Sequence, residues 1–98
     1  MALKVTVTLK DRTDPVEANI LNPDRVRWDM TAQKHKWPSF ADAPFLGMTF
    51  LAWAALRREG IYTDTFEMFR DTDALDVRGD DDEADETDDL SAIGNPTL

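Results

Sequence analysis

The chain has 98 residues, no cysteine and a formal net charge of −9. That length allows one domain, the missing thiols exclude a disulfide framework and fit a reducing compartment, and the acidic balance argues against binding to nucleic acid. The charge is uneven: residues 1–70 hold ten Lys or Arg against nine Asp or Glu, whereas residues 71–98 hold Arg78 against eleven acids.

At the N-terminus, Leu3, Val5, Val7 and Leu9 alternate with Lys4, Thr6, Thr8 and Lys10. This period-two pattern predicts a strand with one buried face, and it offers neither a signal peptide nor an anchor. After the turn-forming Asp11–Pro15, Val16, Ala18 and Ile20 alternate with Glu17 and Asn19, which predicts a second strand returning as a hairpin. A lone hairpin is unstable, so its apolar face must lie on helices.

Asn22-Pro23-Asp24 reads as a helix start, with Asn22 as cap, and the helix is expected to run to about Lys36, before Pro38. Its apolar stripe is drawn through Val26, Met30 and Trp37, leaving Trp28 and Ala32 off it. A central helix follows in the seventeen residues from Pro44 to Gly60, with Arg57 and Arg58 at its negative end and Gly60 as left-handed stop. On a helical wheel Phe45, Leu46, Phe50, Trp53 and Leu56 share one side, a core face. Gly47, Ala52, Ala54 and Ala55, with Met48 and Leu51, make a second side of small or apolar residues. The doubly apolar surface exceeds what a small domain is expected to cover, so Phe45, Met48, Phe50, Leu51, Trp53 and Leu56 are candidate partner-binding residues, with the side that meets the partner left open. The roughly 13 apolar-rich residues fall short of the about 20 that span a bilayer.

Asp64 with Glu67 suggests an acidic capping box ahead of a short third helix containing Phe66, Met68 and Phe69. Leu75 and Val77 around Asp76 fit either a last helical turn or a short extended edge. The run Asp80, Asp81, Asp82, Glu83, Asp85, Glu86, Asp88 and Asp89 combines strong repulsion with little apolar surface, which predicts a globular domain over 1–77 and a disordered acidic tail over 78–98. So small a core would gain from self-association or a bound partner.

Catalytic chemistry finds no support. His35, the sole histidine, lies between two lysines with no cysteine to complete a metal set, and no Ser or Cys stands beside a base. The acidic run lacks the ligand spacing of a calcium loop, and no phosphate-binding loop is present. The reading is a non-enzyme without metal or cofactor. An acidic inhibitor imitating a nucleic-acid backbone is the third-ranked alternative.

DRVRWD (24–29), WPSFADAP (37–44), TFLAWAALRREG (49–60) and TFEMF (65–69), in this order before an acidic stretch, resemble the tail assembly chaperones of long-tailed actinobacterial phages. The resemblance covers Asp24 to Val77. The closing GNPTL also resembles the end of the family's shorter form, after which a longer product often arises by ribosomal frameshifting. The resemblance implies a protein in the cytoplasm of the infected host, outside the finished virion, that binds and solubilises the tape-measure protein and helps recruit tail-tube protein. The alternative is a structural head-tail joining protein. The fold expected is α+β, an N-terminal hairpin on two or three helices.

Overall fold

The computed structural model describes residues 3–81. Alternation at the N-terminus produces strand β1, Leu3–Leu9, and strand β2, Val16–Ile20, paired antiparallel with Val5 opposite Ala18 and Val7 opposite Val16. Val5, Val7, Leu9, Ala18 and Ile20 are buried, as the period-two pattern requires.

A third strand completes the sheet. The ambiguous Leu75–Val77 region is extended, and strand β3, Ala74–Asp81, pairs antiparallel with β1, so that β1 is the middle strand of the order β2-β1-β3. The sheet therefore continues beyond residue 77, and the backbones of Asp80 and Asp81 belong to it. The rest of the predicted tail, from Asp82 on, lies outside the described residues. A register irregularity between Thr8 and Leu9 sets Leu9 opposite Ala74.

Helix α1, Asn22–His35, starts on a capping box different from the expected one. Leu21 stands at the cap, and the Asp24 carboxylate accepts from its backbone N–H at 2.9 Å, so Asn22 does not cap. The helix closes at Lys36, whose φ of 57° is left-handed, with Trp37 N–H donating back to the Ala32 carbonyl. The buried stripe also differs from the expected one. Trp28 is buried, whereas Val26 and Met30 are exposed, Met30 by 67%. The buried face runs through Asp24 and Trp28 to the half-buried Ala32 at helical spacing. A charged residue at its head disguised it.

Helix α2, Pro44–Arg58, crosses the sheet diagonally. Met48 near its start touches β3 at Gly79, and Arg58 at its end bonds the Asn19 carbonyl of β2. The face between these residues, Leu51, Ala52 and Ala55, is buried; small side chains let helix and sheet approach closely. The opposite face is covered by aromatics from elsewhere: Phe50 lies 5.7 Å from Trp28, 6.1 Å from Trp37 and 5.3 Å from Phe66 between ring centroids. The expectation that Phe50, Leu51 and Leu56 stand ready for a partner is thus corrected, because the sheet and the aromatic cluster bury them, while Phe45 stays exposed. Gly47 receives the ring of Phe40, whose Cδ2 lies 2.3 Å from where a Cβ would sit.

Gly60, at φ 76°, ends the helix as expected. Helix α3 is only Phe66–Met68, capped by Thr65 rather than Asp64: Thr65 Oγ1 accepts from Met68 N–H at 3.2 Å. A π-helical turn, Phe69–Asp73, leads into β3 and buries Phe69 completely. No described helix is long and apolar enough to cross a membrane.

Candidate functional site

The six candidate residues of α2 separate sharply. Phe50, Leu51 and Leu56 are buried in the domain's own core and are unavailable to a partner. Trp53 is half-buried: its indole N–H donates to the Asp64 carbonyl at 3.1 Å, and the guanidiniums of Arg27 and Arg57 lie over its ring at 5.4 and 5.7 Å. Each hydrogen-bonding and π-face demand of that indole is already met within the chain. The cleft it lines with Trp37 and Phe66 is an open pocket of about 410 Å³ rimmed by Arg27 and Arg57.

Phe45 and Met48 remain. Phe45 sits on the first turn of α2 and is 88% exposed, contrary to its predicted place on the core face. Beside it runs a groove of about 460 Å³ between α2 and β3, lined by Phe45, Met48, Leu75, Val77 and Gly79, with Arg70 at its rim. Leu75 is 64% exposed. Gly79 makes the floor: without a side chain it leaves room for Met48, whose Cε lies 3.0 Å from the position a Cβ would take.

Polar groups around the groove are largely satisfied. Thr49 Oγ1 donates to the Phe45 carbonyl at 2.6 Å, one turn back. Arg70 donates from Nε and Nη2 to the Asp71 carboxylate at 2.7 and 2.8 Å, which raises the guanidinium pKa and lowers that of Asp71. What remains toward solvent is a phenyl ring, a leucine and a thioether, a surface suited to an apolar or amphipathic partner.

Leu75 and Gly79 did not figure among the candidates. Leu75 was visible as an apolar residue beside acids, but its place on this groove depends on β3 pairing with β1, a long-range contact that local pattern does not disclose. Of the acidic candidates, Asp80 and Asp81 lie on the end of β3 and the other six are outside the described residues. Among the described residues, no group of His, Asp and Glu could hold a metal ion. His35 is exposed and stacks on Trp37 at 5.1 Å.

Elsewhere, one buried charge stands out. Asp24, 1% exposed, meets Arg58 through two hydrogen bonds, and this contact raises the arginine pKa. It ties the start of α1 to the end of α2, a structural clamp whose residues do not line the groove. No family model, curated protein or solved structure matches the chain.

Proposed function

We propose that the protein is a non-enzymatic assembly chaperone of a long-tailed phage, which binds the tape-measure protein through the groove between α2 and β3 and holds it in solution while the tail tube assembles. Phe45 carries this reading. A phenyl ring 88% exposed, beside Met48 and Leu75, is an unusual thing for a small domain to leave uncovered when Phe50, Leu51 and Leu56 of the same helix are buried. An amphipathic client helix would lay its apolar face along this groove.

The resemblance of residues 24–77 to the phage chaperones supplies the client. The net −10 carried by residues 71–98 supports the solubilising role, since like charge keeps complexes apart while apolar surfaces are being matched. On this reading the protein works in the infected host's cytoplasm and does not enter the mature virion.

Co-expression with helical segments of the tape-measure protein tests the proposal. The expected result is that a segment insoluble alone becomes soluble and co-purifies with the chain. Segments that stay insoluble, or dissolve without forming a complex, would overturn it.

A further inference from the structure

We infer that two copies of this chain pair edge to edge through β3, antiparallel, about a two-fold axis at Val77. β3 is an outer strand of the sheet, so one row of its backbone N–H and C=O groups faces away from β1. The other edge is less inviting. β2 has five residues against eight in β3, follows Pro15, and has the Asn19 carbonyl occupied by Arg58 Nη2 at 2.7 Å.

The sequence of β3 is self-complementary in this register. With Val77 facing its own symmetry mate, Asp76 stands opposite Arg78 of the second copy, and the two-fold makes this pair twice. Within one copy Arg78 Nε bonds Asp76 Oδ2 at 3.0 Å, so both charges already share one face of the strand. On the other face Leu75 stands opposite Gly79 of the second copy, where the absent side chain and the overlying Met48 give it an apolar seat. Other registers lose these matches. An axis at Asp76 or at Arg78 sets like charges face to face. A slip of one residue turns the second copy's helices to the opposite side of the sheet.

The paired sheets would form six continuous strands with both α2 helices on one side. The two grooves then face each other across the axis as one trough, floored by β3 and rimmed by the two Phe45 rings. That use of the trough rests on the proposed function; the pairing itself does not.

Sedimentation equilibrium of the full chain from about 1 to 100 µM tests the pairing. The wild type is expected to show a monomer–dimer equilibrium. Asp76→Arg and Arg78→Asp each convert two attractive pairs into two repulsive ones and should weaken the dimer by about tenfold or more. The double exchange Asp76→Arg with Arg78→Asp restores opposite charges only in this register and should recover the dimer. A monomer throughout the range, single variants that dimerise like the wild type, or a double variant that fails to recover would each overturn the inference. A dimer that ignores tape-measure segments would refute the chaperone alone, and a monomer that binds them would refute the pairing alone.

Discussion

Arg58 grips Asp24 from across the domain: Nε donates to Oδ1 at 3.2 Å and Nη2 donates to Oδ2 at 3.0 Å, while the same Nη2 reaches the Asn19 carbonyl at 2.7 Å. Three elements meet at this fork, the end of β2, the start of α1 and the end of α2. Because Asp24 is almost fully buried, removing its partner leaves a carboxylate that water barely reaches. Arg58→Ala is expected to cost about 2–4 kcal/mol, toward the lower part of the range for broken buried pairs because Arg58 keeps 27% of its side chain exposed. Asp24→Asn, which keeps an acceptor for the Leu21 N–H, should cost less. Urea denaturation of the two variants checks the order.

Gly47→Ala should destabilise the domain although alanine is the better helix former by roughly 1 kcal/mol. The new methyl would lie within 2.5 Å of two Phe40 ring carbons, forcing the ring from its place against Trp28. A net loss of about 1–2 kcal/mol is expected, the overpacking cost less the propensity gain. In the Phe40→Leu background the same substitution should cost less, and a double-mutant cycle by thermal unfolding measures the coupling.

The single tyrosine gives a pH signature. Burial, and then the hydrogen bond that Tyr62 donates to Asp73 Oδ2 at 2.7 Å, push the phenol well above its ordinary value of 10. A raised folded pKa stabilises fully below the unfolded value and loses that contribution as pH climbs above it. From pH 10 upward the unfolded chain releases this proton while the folded chain retains it, so stability falls by up to about 1.4 kcal/mol per pH unit from this group. Tyr62→Phe should remove that component of the slope. It should also lower stability below pH 10 by about 1 kcal/mol through the lost hydrogen bond. Absorbance titration of the wild type should show phenolate appearing only with unfolding.

Leu51→Asp and Phe45→Asp test the division of α2 into core and surface. Leu51 is buried against the sheet, and a carboxylate there should unfold the domain. Phe45 is exposed on the first turn, where an acid also suits the helix dipole, so Phe45→Asp should leave the circular dichroism spectrum and melting temperature nearly unchanged.

Local pattern disclosed much of this fold. The alternation of Leu3–Leu9 and Val16–Ile20 specified the hairpin, and Pro44 with Gly60 bracketed the central helix within two residues of its ends. What escaped depended on distant pairing. Asp24 heads the buried face of α1 only because Arg58, 34 residues away, neutralises it, so a stripe drawn through apolar residues alone chose Met30 over Trp28. The strand at Ala74–Asp81 hid behind its acids, which are tolerable at an edge. Missing that strand made α2 look greasier than its surroundings could cover, and the partner surface was placed on residues the sheet buries. Phe45 and Met48 survive as candidates because they flank the open groove between the start of α2 and β3.

Binding of a fluorescently labelled tape-measure helical segment to the wild type and to Phe45→Asp tests the chaperone reading most directly. The wild type is expected to bind and the folded variant to bind at least about tenfold more weakly, through the loss of one phenyl ring buried in the complex and its replacement by a charge. Equal binding by the two proteins, or none by the wild type, would contradict it.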